Sequence, residues 1–120
     1  MFRSFSVSLL IFFCFGLTAQ RLSVPEFVAQ LKASPGAMLI DVRTPGEFQG
    51  GHLANAVNYQ LNSPEFKQKT AALDKKKPVF VYCLSGARSN AAAQQLASMG
   101  FDKVYDMAGG MIQWRANGLP

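Results

Sequence analysis

Short apolar runs alternate along this chain with longer stretches whose apolar residues recur at helical spacing. Strands are predicted from the β-branched and aromatic runs at residues 38–42, 56–58, 79–82 and 104–105. Helices are predicted at residues 23–32, 64–73, 89–99 and 111–116, with at most one helical turn at 47–50. This alternation predicts an α/β protein with a mostly parallel sheet and helices on both of its faces.

The strand predicted at residues 79–82 leads into the sequence Cys83-Leu84-Ser85-Gly86-Ala87-Arg88, which precedes the helix predicted from Ser89. The strand lies between the turn-like pair Lys77-Pro78 and a loop that contains glycine, as a short strand covered on both faces would. Cys83 is therefore predicted at the carboxyl end of a strand. Open α/β sheets bind their ligands at that end.

Cys83 has the surroundings of a reactive thiolate. The helix that follows begins with backbone N–H groups that lack partners inside the helix, and these stabilise an anion at the centre of the loop. In such settings the pKa of a cysteine falls from about 8.5 to roughly 3.5–7.5, and Arg88 adds a positive charge. Ser85 offers a small hydrogen-bonding side chain, and Gly86 tolerates a positive φ. The sequence therefore predicts a nucleophile that is ionised at neutral pH.

The first residues have the pattern of a secretory signal peptide. Arg3 gives a positive start, residues 7–15 are almost wholly apolar, and Ala19 offers a small residue for cleavage. The apolar stretch is shorter than the roughly 20 residues of a transmembrane helix. We therefore predict a signal peptide over residues 1–19, a single domain over 20–120, and no stable membrane insertion after cleavage. The predicted location is the periplasm, with secretion or an N-terminal membrane anchor as alternatives.

The composition narrows the range of partners. Twelve Lys and Arg residues against seven Asp and Glu give a formal net charge of +5, which favours small anionic substrates. The one cationic run, Lys75-Lys76-Lys77, follows a predicted helix, where lysines complement the helix C-terminus, so we predict no nucleic-acid binding. Residues 20–120 contain a single cysteine, Cys83, which indicates a reactive thiol, and no Cys/His cluster for a metal.

The Cys83–Arg88 loop resembles the active-site loop of the rhodanese-type sulfurtransferases. Three further stretches agree with that family in order and spacing: Asp41-Val42-Arg43 followed by Glu47-Phe48, residues 51–58, and residues 108–114. The resemblance extends from about Arg21 to the C-terminus and is greatest to small single-domain rhodaneses, including exported bacterial ones. It implies a rhodanese-like fold with a central sheet of about five strands.

The resemblance also implies the activity of a thiosulfate sulfurtransferase. Cys83 would attack the outer sulfur of a small anionic donor such as thiosulfate, release sulfite, hold the sulfur as a persulfide, and pass it to cyanide or a thiol. Substrate would be bound by the backbone N–H groups of Leu84, Ser85, Gly86, Ala87 and Arg88. Arg88 would orient the donor, and no cofactor or separate general base is implied. Some relatives carry a basic residue where this chain has Leu84, so a strong preference for dianionic thiosulfate is not implied.

Two residues outside the loop are predicted to support it. Asp41 and Arg43 end a strand and so reach the same sheet edge as Cys83. Asp41 could accept hydrogen bonds from loop backbone, and Arg43 could pair with Glu47, four positions further on. Structural support is the favoured role for both residues, and a direct contact between Arg43 and the substrate is the alternative.

Three other features are given structural roles. His52 is predicted to pack at a turn and bond to a backbone group rather than act as a base. Trp114 is predicted to belong to the core or to a pocket wall. The pair Gly109-Gly110 would permit a close approach of its loop to the active-site mouth.

Two alternatives to the predicted sulfurtransferase function stay open. One is a sulfur-carrier or sulfide-binding module that holds a persulfide for a partner protein and turns over poorly alone. The other is a phosphatase, because the related cell-cycle phosphatases share the fold. Those enzymes have five residues between cysteine and arginine, which makes a cradle for a tetrahedral phosphate. The four residues of this chain should enclose only a single sulfur.

Overall fold

Five parallel strands form one sheet in the computed structural model, which describes residues 19–119 of the chain. The strands are β1 (Gln20–Leu22), β2 (Met38–Asp41), β3 (Val57–Asn58), β4 (Val79–Tyr82) and β5 (Val104–Met107). Their order across the sheet is β1-β5-β4-β2-β3. The helices of the same residues are α1 (Val24–Lys32), α2 (Pro45–Gln49), α3 (Pro64–Ala71), α4 (Ala87–Ser98) and α5 (Gly110–Ala116). The predicted α/β architecture is confirmed.

Alternate side chains of the central strand β4 build a core on each face of the sheet. Val79 and Val81 pack with Phe66 of α3 and Leu96 of α4. Phe80 and Tyr82 pack on the other face with residues of α1 and α5, including Phe27 and Met111. All four β4 residues are buried, as expected of a parallel strand covered by helices on both sides. The loop that begins at Cys83 therefore starts from a strand that is buried on both faces.

The strand β1 was not predicted from the sequence. It is three residues long, and Gln20 and Arg21 are exposed, so it shows no hydrophobic alternation. Its position depends on parallel pairing with β5, in which Arg21 lies opposite Asp106 and Leu22 opposite Met107. Such an edge strand is specified by its partner rather than by its own composition.

Three helices begin earlier than predicted, α2 and α4 by two residues and α5, at Gly110 instead of residue 111, by one. The one-turn helix α2 starts at Pro45 instead of residue 47, because Thr44 accepts a hydrogen bond from the Glu47 amide while the Glu47 side chain accepts one from the Thr44 amide. Helix α4 starts at Ala87 instead of Ser89, after Gly86 at φ 112°. Arg88 and Ser89 therefore belong to the first turn of α4.

The N-terminal predictions fall almost wholly on residues outside the described part of the chain. Of the predicted signal peptide, only Ala19 is described, so the signal peptide and the export of the protein stay predictions. Within residues 19–119, no helix has the length and apolar character needed to cross a membrane.

Candidate active site

Cys83 follows the last residue of β4 at the carboxyl edge of the sheet, as predicted. Its side chain is fully buried on the face covered by α4. The Cys83 sulfur accepts hydrogen bonds from the backbone N–H of Gly86 at 3.1 Å and of Ser89 at 3.3 Å. The Ser89 hydroxyl lies 3.5 Å from the same sulfur. The Cys83 sulfur is thus enclosed by the loop and by the first turn of α4.

Opposing effects set the pKa of Cys83. Burial raises the pKa, since it disfavours the charged thiolate. Hydrogen bonds from the Ser89 side chain and from the amides of Ser89, Gly86 and Ser85 lower it. The hydrogen bonds outweigh burial, and the pKa of Cys83 lies below its ordinary value. The arrangement favours a thiolate without an adjacent histidine.

Arg88 lies at the rim of this loop and is bound to a carboxylate. Its guanidinium donates two hydrogen bonds to Glu47, at 2.7 Å and 3.0 Å, a bidentate pair between α4 and α2. The predicted pairing of Glu47 with Arg43 is wrong. Arg43 is instead paired with Asp41, and Glu47 is paired with Arg88.

The Arg88–Glu47 pair should make the stability of the fold depend on acidic pH. Hydrogen bonds from Arg88 lower the pKa of Glu47 from 4.5 to about 2. Because the pKa is lower in the folded than in the unfolded chain, the stabilisation is complete above pH 4.5 and is lost as the pH falls toward 2. In urea titrations between about pH 5 and about pH 3, Glu47→Gln should lose less stability than the parent chain. Parallel losses in the two proteins would contradict this prediction.

Asp41 and Arg43 form a buried ion pair at the same sheet edge. The Arg43 side chain donates to both Asp41 oxygens, with the shortest contact at 2.7 Å, and the Arg43 amide also donates to Asp41 at 2.9 Å. Arg43 donates a further bond to the Gly51 carbonyl at 2.7 Å. These bonds to Asp41 raise the pKa of Arg43, against the effect of burial. Asp41 therefore accepts hydrogen bonds from Arg43 and not, as predicted, from the backbone of the cysteine loop, because Arg43 occupies both of its carboxyl oxygens. The pair supports the backbone at Gly51 instead.

Helix α5 braces the cysteine loop from behind. Its Met111 amide donates to the Cys83 carbonyl at 2.9 Å, and its Ile112 amide donates to the Leu84 carbonyl at 3.1 Å. The helix comes this close because Gly110 has no side chain: a Cβ there would lie 2.4 Å from the Cys83 carbonyl oxygen and 2.5 Å from that of Leu84. The Gly109-Gly110 segment therefore approaches the cysteine loop closely, and the contact is with the backbone of Cys83 and Leu84 rather than at the predicted active-site mouth.

Gly110→Ala should loosen this brace. A methyl group cannot fit against two backbone carbonyls, and Gly110 also has a φ of +55°. We expect a loss of about 2–3 kcal/mol in the free energy of unfolding. The matched control is Gly118→Ala, at φ +73° with nothing within 4 Å of the added Cβ, which should cost about 1 kcal/mol from backbone strain alone. Equal losses in urea titrations would show that the contact with the loop is unimportant.

Three residues that form a chain of hydrogen bonds leading to the sulfur were missed in the sequence. Ser89 donates to a carboxyl oxygen of Asp106 at 2.5 Å. The Arg21 guanidinium pairs with the same carboxyl group at 2.8 Å and donates to the Gly86 carbonyl at 2.6 Å. Asp106 could have been predicted as a site residue, because it is the one charged residue in the otherwise apolar strand Val104–Met107. The role of Arg21 could not have been predicted in this way, since the strand that contains it, β1, was itself not predicted.

His52 and Trp114, for which packing roles were predicted, both pack against neighbouring side chains. The Nδ1 atom of His52 lies 2.9 Å from the Phe48 carbonyl oxygen, and its ring stacks on Phe48 with centroids 3.7 Å apart. Trp114 is half-buried against the core on the α1 and α5 side. The predicted packing of both residues and the backbone contact of His52 are confirmed. Across residues 19–119, no group of three or more His, Cys, Asp or Glu side chains is arranged to hold a metal ion.

The fold and the site define an α/β protein with a thiol enclosed by backbone amides at the carboxyl edge of a parallel sheet. The chain belongs to the rhodanese-like domain family, which matches residues 24–117. It is 42% identical over 78 residues to the uncharacterised protein YqhL of Bacillus subtilis, covering 65% of this chain and 60% of that protein. It is 36% identical over 80 residues to the thiosulfate sulfurtransferase GlpE of Coxiella burnetii, covering 67% and 73%.

Solved structures agree with the family assignment. A rhodanese-related protein from Thermoplasma volcanium has a TM-score of 0.73 and 30% identity, covering 84% of this chain and 95% of that one. A rhodanese-like domain protein from Staphylococcus aureus has a TM-score of 0.69 and 25% identity, covering 79% and 90%. The single-domain rhodanese-like fold is confirmed. The chain spans about three fifths of the length of YqhL and of the senescence-associated protein DIN1 of Raphanus sativus.

Proposed function

We propose that the protein is a sulfurtransferase that moves sulfane sulfur from thiosulfate, or a related anionic donor, to cyanide or a thiol. The observation that carries the proposal is the Cys83 sulfur, which is buried at the sheet edge 3.5 Å from the Ser89 hydroxyl and accepts hydrogen bonds from the backbone amides of Gly86 and Ser89. These donors stabilise a thiolate before any substrate arrives. Membership of the rhodanese-like family and the likeness to GlpE support the same chemistry.

The reaction would proceed in two displacement steps. The Cys83 thiolate attacks the outer sulfur of thiosulfate, a new S–S bond forms, and the original S–S bond breaks with its electron pair leaving on sulfite. The acceptor then attacks the outer sulfur of the persulfide. A bond forms between acceptor and sulfur, the persulfide bond breaks, and the electron pair returns to Cys83. No net oxidation of the protein occurs in the cycle.

Arg88 supports binding of an anionic sulfur donor, although part of its guanidinium is bonded to Glu47. About a third of its side chain is exposed, and its guanidinium carries five donors, of which two point at Glu47. The remaining donors can contact a sulfonate group at the loop. Glu47 offsets the positive charge of Arg88, and Leu84 adds no charge. We therefore propose that the sulfur donor binds to the loop from Leu84 to Arg88, and that this loop has only a modest preference for donors of high negative charge.

The test is a thiosulfate:cyanide assay on the reduced 120-residue chain carrying Cys14→Ser, so that Cys83 is its single thiol. Sulfite release and thiocyanate formation are followed together. Repeated turnover of both supports the sulfurtransferase. One equivalent of sulfite without thiocyanate would instead indicate a sulfur carrier that requires a partner protein, an alternative favoured by the full burial of the sulfur. Absence of sulfite would contradict the proposed donor.

A further inference from the structure

A buried carboxylate lies two hydrogen bonds away from the Cys83 sulfur. Asp106 is 2% exposed and projects from β5 on the face covered by α4. The fully buried Ser89 hydroxyl lies between the two groups, 3.5 Å from the Cys83 sulfur and 2.5 Å from a carboxyl oxygen of Asp106. The proposed transfer of sulfur through Cys83 assigns no role to Asp106.

The Ser89 hydroxyl has one hydrogen and therefore couples the protonation of its two neighbours. When it donates to an ionised Asp106, its oxygen is left to accept the S–H of a neutral Cys83 thiol. When it donates to a Cys83 thiolate, its oxygen can accept from a protonated Asp106. These are two arrangements of the same proton with equal total charge. Forming the thiolate in this way leaves the net charge of the buried site unchanged.

Few other charges face the pair. Arg21, on the neighbouring strand β1, contacts Asp106 directly, and nearly half of its side chain is exposed. On the other neighbouring strand, β4, the residue opposite Asp106 is the apolar Val81. Helix α4 contributes Ser89 toward Asp106, and Arg88 on the same helix interacts electrostatically with Cys83. Burial raises the pKa of Asp106, and the Ser89 and Arg21 contacts only partly oppose it.

We propose that Asp106 takes the Cys83 proton through Ser89 when the thiolate forms, keeps it while sulfur is carried, and returns it afterwards. The S–H bond of Cys83 breaks as Ser89 gains that proton, and the original Ser89 proton passes to an Asp106 oxygen. The persulfide step then follows with the proton stored. This inference rests on Cys83 as the nucleophile of the proposed function. Its test uses alkylation of the thiol, so it can fail or succeed independently of sulfur transfer.

The first test is the pH profile of Cys83 alkylation by iodoacetamide in the 120-residue chain carrying Cys14→Ser. Two groups that share a proton titrate in two macroscopic steps, so the rate should rise to a plateau and then rise again, with the steps separated by more than about one pH unit. In Asp106→Asn, which keeps the size of the side chain but cannot take the proton, a single step should remain. A single step in the parent chain that coincides with that of Asp106→Asn would overturn the proposal.

The second test distinguishes proton transfer from simple electrostatic support. Arg21→Gln removes a cation from Asp106 and makes that carboxyl a better proton acceptor, so the rate at the first plateau should rise by roughly threefold. If Arg21 only added positive charge near the sulfur, its loss would disfavour the thiolate and lower the rate. In the Asp106→Asn background, Arg21→Gln should therefore slow alkylation.

The Arg21 result decides the matter if Asp106→Asn does not fold, because half-exposed Arg21 tolerates substitution better than a buried carboxyl. Circular dichroism on each variant establishes that it is folded before alkylation is measured. A slower first plateau in Arg21→Gln with Asp106 intact would overturn the proposal, whatever the sulfurtransferase assay shows.

Discussion

Replacing Cys83 with serine should abolish sulfur transfer while leaving the fold intact. A serine oxygen occupies nearly the same space, but it cannot be held as an anion near neutral pH and cannot form a persulfide. Removal of a covalent nucleophile typically lowers turnover by a factor on the order of 10⁴ or more. The measurement is the initial rate of thiocyanate formation from thiosulfate and cyanide. It is accompanied by mass spectrometry for the addition of one sulfur atom to the protein.

The sequence offers its own matched control in the second cysteine. Cys14 lies outside the described residues and outside the region matched by the rhodanese-like family. Cys14→Ser should therefore keep the turnover and the sulfur adduct of the parent chain. Activity that survives in Cys83→Ser, or an adduct that disappears in Cys14→Ser, would remove Cys83 from the proposed mechanism.

Asp41→Ala should produce the largest loss of stability among the substitutions considered for this chain. Both members of the Asp41–Arg43 pair are almost completely buried, and the substitution removes the carboxylate that is bonded to the Arg43 guanidinium. Breaking such a pair by removing one partner costs about 3–5 kcal/mol. Because whole domains of this size are stable by only about 5–15 kcal/mol, a substantial unfolded fraction is expected on mild heating. Urea titration of the parent and variant measures the difference.

Two further variants separate buried charge from ion pairing in general. Glu65→Ala removes one partner of the exposed pair with Lys69, whose side chains are about half exposed, and should cost less than about 1 kcal/mol. The double variant Asp41→Ala/Arg43→Met removes both buried charges and should recover part of the loss caused by Asp41→Ala alone. If the double variant is no more stable than Asp41→Ala, the loss of stability in Asp41→Ala comes from packing or from the Gly51 contact of Arg43 and not from an unpaired buried charge.

The local part of the active site could be predicted because it is contained in one short stretch of chain. Strand β4, the turn at Gly86 and the start of α4 are all encoded between Val79 and Ser89, so the enclosed sulfur of Cys83 followed from strand, turn and helix preferences. The start of α4 was misplaced by two residues, because Ala87 and Arg88 were assigned to the loop. That shift hid Ser89, whose amide and hydroxyl both contact the sulfur.

The sequence by itself determined the alternation of strands and helices, the position of Cys83 at a strand end, and the four-residue interval to Arg88. These are properties of neighbouring residues, so local preferences are enough to specify them. Only the tertiary structure decided the partners of the charged groups. Arg88 pairs with Glu47 across 41 positions, and Arg21 with Asp106 across 85. Such pairings depend on which strands and helices become neighbours, and strand order is set by packing of the whole sheet rather than by the charges themselves.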